Sequence, residues 1–107
     1  MKLIIAIVSR DDSSVVSSAL NKKGFQVTKL SSTGGFLHAG NITLMIGCEA
    51  EKVEAAIETI KEYSQERTEM VPSNIGYDMG SYMSFPVEVK VGGATIFVLD
   101  VEQFKKV

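Results

Sequence analysis

The chain has 107 residues, a formal net charge of −2 and 45% hydrophobic residues, which suits one small domain with a real core. The mildly acidic balance argues against duplex nucleic acid, which wants a basic face; a small anion stays open, because a local nest of N–H donors acts against the global charge. A lone cysteine, Cys48, excludes an internal disulfide framework, and a reducing compartment is expected.

The run Leu3 to Val8 is apolar and largely β-branched, and predicts a buried strand. It is too short to span a membrane, and polar Ser9-Arg10-Asp11-Asp12 follows at once. No other segment looks like a targeting signal, so the expected location is cytoplasmic. Asp11 and Asp12 offer an N-cap and first-turn charge for a helix over about 13–23. Val15, Val16, Ala19 and Leu20 recur at helical spacing, and Gly24 supplies the C-cap. Phe25 to Ser32 predicts a second strand and Asn41 to Cys48 a third, joined by the loop Thr33 to Gly40 as a hairpin. Glu49 and Glu51 open a second helix with the stripe Val53, Ile57, Ile60 and Tyr63, ending near Glu66. Residues 67–85 contain Pro72, Gly76 and Gly80 without clear periodicity and predict a long loop, a feature often functional. Val87, Val89 and Val91 alternate with Glu88 and Lys90. Gly92-Gly93 reads as a two-residue turn, with Ala94 to Leu99 completing a hairpin.

The predicted order is β-α-β-β-α-β-β over one domain, 1–107. This is an α+β, ferredoxin-like βαββαβ pattern with an extra C-terminal strand. Two helices cover only one face of such a sheet, and a solvated second face should be polar. Here it is not: Leu3, Ile5 and Ile7 oppose Ile4, Ala6 and Val8, Met45 opposes Ile42, Leu44 and Ile46, and Phe97 and Leu99 oppose Ile96 and Val98. Either the long loop or a second copy must cover that face. Oligomerisation is the expectation, with ligand sites in the clefts between subunits.

The strongest local candidate for chemistry is Thr33-Gly34-Gly35-Phe36-Leu37-His38-Ala39-Gly40-Asn41. Adjacent glycines let successive N–H groups converge on an anion. Phe36 can stack on a base, and Asn41 carries the donor and acceptor that suit a nucleobase edge. Thr28 adds a hydroxyl, and Gly47 lets a flat ring approach the backbone. An ordinary hairpin loop would show much the same composition, and neither a Walker pattern nor GxGxxG is present. His38, the one histidine, has no partner placed by sequence and reads as a surface residue. Cys48 reads as a small buried hydrophobe. No metal site can be assembled. Glu49, Glu51, Glu54, Glu58 and Glu62 read as a solvated helix face with Lys52 and Lys61. Met70, Met79 and Met83 suit either an adaptable contact surface or packing on the core.

Three stretches together resemble the PII-like cyclic-di-AMP receptor proteins of Firmicutes. They are Lys29-Leu30-Ser31-Ser32-Thr33-Gly34-Gly35-Phe36-Leu37 with Gly40-Asn41; Phe85-Pro86-Val87-Glu88-Val89 with Val91-Gly92-Gly93-Ala94-Thr95-Ile96-Phe97-Val98-Leu99; and Met1 to Val8. The similarity runs end to end. It implies a PII-like homotrimer that binds one cyclic-di-AMP per intersubunit cleft, senses rather than catalyses, and needs no cofactor beyond that ligand. By position, Thr28, Gly35, Phe36, Leu37, Asn41 and Gly47 match family ligand contacts, and Phe97 matches an aromatic from a neighbouring subunit. The 67–85 segment would respond to ligand and face an unidentified downstream protein, with no nucleic acid polymer or membrane as partner.

The resemblance has departures. Relatives commonly carry Arg where this chain has Gln26, and Lys or Arg where it has His38. Hydrogen bonds to charged groups contribute about 1.5–3 kcal/mol, roughly ten- to hundredfold in affinity, so weaker phosphate binding is expected. The long loop departs around Ile75-Gly76-Tyr77-Asp78, and Asp100 stands where proline is usual. A sensor of another adenine nucleotide, a small enzyme using His38 or Asp78, and a ligand-free interaction module are the competing readings.

Overall fold

The computed structural model describes residues 1–30, 40–72 and 86–107. The chain runs β1 (Lys2–Ser9), α1 (Arg10–Lys22), β2 (Val27–Leu30), β3 (Asn41–Cys48), a 3-10 turn (Ala50–Lys52), α2 (Val53–Tyr63), β4 (Arg67–Pro72), β5 (Pro86–Val91) and β6 (Ala94–Asp100). One antiparallel sheet has the order β2-β3-β1-β6, and β4-β5 form a separate two-stranded sheet. The four-stranded sheet with its two helices is the expected ferredoxin-like α+β arrangement, consistent with a PII-like fold.

Helix α1 starts earlier than its aspartates suggest. Ser9 is the N-cap, and its Oγ accepts from the Asp11 amide at 3.2 Å. This frees Asp12 for a tertiary contact. The helix ends in a Schellman motif: the Gly24 amide donates to the Asn21 carbonyl and the Phe25 amide to the Leu20 carbonyl, both at 3.0 Å. Gly24 takes φ 92°, and Phe25 follows it into the core beside Leu20. At the same end Lys23 Nζ donates to Thr59 Oγ1 of α2 at 3.0 Å.

The core lies between the helices and one sheet face. Ile4, Ala6 and Val8 of β1 meet Ile42, Leu44, Ile46 and Cys48 of β3, with Val16 and Leu20 of α1 and Val53, Ala56 and Ile60 of α2. The α2 stripe runs through Val53, Ala56, Thr59 and Ile60, with Ile57 half-buried and Tyr63 exposed. The carboxylates of that helix are exposed as expected. Cys48 is buried, and that burial pushes its thiol up from the usual value.

Two expectations are corrected after α2. Residues 67–72 are strand, not loop: β4 pairs with β5 from Arg67↔Val91 to Pro72↔Pro86. Its ladder partner lies beyond residues 73–85, so no local turn signal announces it. Gly92-Gly93 does not close a β5–β6 hairpin. It carries the chain from the small sheet into the large one, where β6 pairs with β1. The two strands added to the βαββαβ core therefore precede its last strand.

The base of the β4–β5 hairpin is fastened to the core. Arg67 donates to both carboxylate oxygens of buried Asp12, at 2.9 and 3.2 Å, and to the Gln65 carbonyl at 3.2 Å. The Gly93 amide donates to the Ser64 carbonyl. Gly92 takes φ 88°, and a Cβ there would sit 2.5 Å from the Gln65 carbonyl oxygen. A Cβ at Gly24 would meet nothing within 4 Å. Gly24→Ala is thus expected to cost about 1–2 kcal/mol for its backbone alone, and Gly92→Ala about 3 kcal/mol. Urea unfolding midpoints measure both; equal losses would remove the close approach as the reason for Gly92.

At the other end of β1 the Lys2 ammonium pairs with the Asp100 carboxylate, its register partner in β6. The hydrogen bond from Lys2, and then its charge, hold the Asp100 carboxyl below the usual carboxylate range. A depressed folded value means this stabilisation is complete above the unfolded-state value and is lost as pH falls through the folded one. In a carboxyl-detected NMR titration Asp100 should titrate below an ordinary aspartate. Lys2→Met should return it to the ordinary range, and no change would discount the pair.

Candidate functional site

Pairing register decides which side chains share the sheet face that the helices leave open. Cross-strand partners point to the same side, so the helix-facing core positions assign their neighbours to the open face. One row across that face is Thr28, Met45, Ile5 and Phe97, from β2 through β3 and β1 to β6. A second is Leu30, Thr43, Ile7 and Thr95, and a third is Gly47, Leu3 and Leu99. Asn41 stands at the end of β3 opposite Ser9. Leu3, Ile5 and Ile7 are half-buried, and Phe97 is 52% exposed. An aromatic ring left half in solvent on an apolar sheet face is unfinished burial.

Of the predicted site residues, Thr28, Asn41, Gly47 and Phe97 therefore share one face, and the first three are also exposed. They do not share one pocket within a chain. Strands lie about 4.8 Å apart, so Thr28 and Phe97, on opposite edge strands, are about 14 Å apart along their row. Asn41 and Gly47 are separated by about 20 Å along β3 at 3.3–3.4 Å per residue. A Cβ on Gly47 would meet nothing within 4 Å, so the strand backbone is accessible there. Gly35, Phe36, Leu37 and His38 lie outside the described residues, as do Met79, Met83 and Asp78.

Asn41 has a second setting that sequence reading missed. It lines a cleft of about 360 Å³ at the junction of β1, α1, β3 and β5, with Ser9, Arg10, Asp11, Gly40 and Lys90 among the other walls. The Arg10 amide donates to the Gly40 carbonyl at 2.9 Å. The Arg10 guanidinium lies over Gly40, 3.7 and 3.9 Å from where a Cβ would stand. Lys90 arrives from the hairpin. Nothing local marks it, since an alternating lysine in a strand reads as a solvated position. Arg67, also unmarked in the sequence, has its guanidinium pKa raised by the Asp12 hydrogen bond and charge. This braces the hairpin next to the same cleft.

A different cleft of about 350 Å³ lies on the helix side, between Val15, Ser18, Lys22 and Tyr63. Among the described residues no group of three or more His, Cys, Asp or Glu side chains is placed to hold a metal ion. No described helix is long and apolar enough to cross a membrane.

The chain is similar over 99% of its length to a functionally unknown protein from Pediococcus pentosaceus ATCC 25745, known from its crystal structure. Identity is 43%, the match covers 96% of that chain, and the TM-score is 0.73. The family model described as cyclic-di-AMP receptor matches residues 1–107. With the ferredoxin-like sheet, the Gly40-Asn41 entry to β3 and the Gly92-Gly93 crossover all inside that match, the chain belongs to the cyclic-di-AMP receptor family.

Proposed function

We propose that this protein is a homotrimeric signal receptor that binds cyclic-di-AMP in the clefts between its subunits. The family is one of receptors, not of known enzymes. One observation carries the intersubunit reading: Thr28 and Phe97 occupy opposite edges of one apolar sheet face. A ligand touching both needs Phe97 from another copy. Packing that face against two further copies would also complete the burial of Leu3, Ile5, Ile7 and Leu99.

In this reading Thr28 and main-chain N–H groups around Gly35 hold phosphate. Asn41, with backbone groups near Leu37 and Gly47, reads the adenine edge. Phe36 and a neighbouring subunit's Phe97 wall the base. Occupancy would bias the segment beyond Arg67 between arrangements and so alter a contact with a downstream protein. The support for that step is mechanical: the hairpin base is tied to α1 through Asp12 and Arg67, beside the Asn41 cleft.

Titration calorimetry with cyclic-di-AMP, ATP and AMP tests the ligand. Heat with cyclic-di-AMP and unchanged ligand mass afterwards are expected; silence at about 100 μM, where even a Kd near that value gives a signal, would overturn the assignment. Asn41→Ala should weaken binding about tenfold, the loss of roughly one good hydrogen bond, with the unliganded melting temperature unchanged. An unchanged Kd would remove Asn41 from the site. Sedimentation equilibrium should give a three-chain species that Phe97→Asp dissociates by placing a charge on the apolar face. A monomeric parent chain at micromolar concentration would leave the cleft without its second wall.

A further inference from the structure

The proposed ligand carries two phosphodiester charges. The cleft beside Asn41 offers a source of positive charge. Arg10 enters from the first turn of α1 and Lys90 from the end of β5, so the two cations come from separate elements onto one cavity of about 360 Å³. The Arg10 amide donates a hydrogen bond to the Gly40 carbonyl, and its guanidinium nitrogens lie 3.7 and 3.9 Å from where a Gly40 Cβ would stand, next to Asn41.

Among the described residues neither Arg10 nor Lys90 makes an ion pair. Two carboxylates lie nearby. Asp12 is engaged on both oxygens by Arg67. Asp11 lines the cleft, and it is the only carboxylate among the described lining residues. Two like charges facing a shared cavity repel, and an anion between them reverses the sign of that interaction. Guanidinium and ammonium groups are also the side chains best suited to phosphate oxygens, the first as a planar fork and the second as a point charge.

We propose that Arg10 and Lys90 form a phosphate subsite beside Asn41 that takes one phosphodiester group of the bound nucleotide. This rests on the receptor reading above, and the test separates the two. Both cations are exposed, so each should contribute at the lower end of a charge-assisted bond.

The experiment is calorimetry with cyclic-di-AMP on the full chain, on Arg10→Gln, Lys90→Gln and Asp11→Asn, at low and high salt. Each cation variant should weaken binding about tenfold and flatten its salt dependence. Asp11→Asn should tighten it several-fold, a sign that a merely structural role would not produce. If the parent chain binds and the cation variants bind equally well, the subsite is wrong and the receptor reading stands. If the parent chain does not bind cyclic-di-AMP, the receptor reading fails and pyrophosphate decides the subsite. Saturable amide shifts at Arg10, Gly40 and Lys90 that vanish in the double variant would support it. Their absence in the parent chain would overturn it.

Discussion

Strand β1 lies between β3 and β6 and carries apolar side chains on both faces, while α1 and α2 can shield only one of them. The shielded side is conventional: Ile4, Ala6 and Val8 disappear under Val16, Leu20 and Ile60. The other side keeps Leu3, Ile5 and Ile7 half-buried and leaves Phe97 and Leu99 exposed. Apolar area left in water is a standing driving force for association. Because the strand pairing is antiparallel throughout, the same register that builds the core also assigns Thr28, Gly47 and Phe97 to the unshielded side. The core and the candidate site thus draw on one sheet through its two faces.

The β4–β5 hairpin is the second organising feature. An isolated two-stranded ribbon is marginal in water, and this one is anchored where it leaves the core. The bidentate Arg67–Asp12 pair holds a carboxylate that is almost fully buried, a group costly to leave without a partner. The close approach of Gly92 to the Gln65 carbonyl locks the opposite strand into the same corner. Asp12 is in the first turn of α1, next to Arg10 and Asp11, so the anchor and the cleft share a single helix terminus. A group bound in the cleft therefore acts one residue away from the contact that orients the hairpin.

Electrostatically the chain is acidic overall, yet the described residues lining the cleft next to Asn41 carry two cations against one carboxylate. Net charge governs solubility and long-range steering; a phosphate responds to the few groups within hydrogen-bonding reach. The removal of Asp12 into the Arg67 pair matters here, because it leaves Asp11 as the one carboxylate among the described residues that line the cleft with Arg10 and Lys90.

Periodicity and composition alone determined the helices, β1, β3 and the two-sided apolar character of the sheet, since these depend on local spacing of side chains. The Schellman end of α1 was readable in Gly24, because only a residue without a Cβ adopts that backbone easily. The likeness to the receptor family was legible as well, in the stretches around Gly40-Asn41 and Gly92-Gly93. Tertiary structure decided the rest. Residues 67–72 become strand through a partner beyond residue 85, and Gly92-Gly93 crosses between sheets because β5 pairs with β4 while β6 pairs with β1. Ser9 rather than an aspartate caps α1, and Asp12 pairs instead with Arg67, fifty-five positions away. Arg10 and Lys90 meet Asn41 only in space. Long-range pairing leaves no mark in a local pattern, and that is why the charged cleft had to be seen folded.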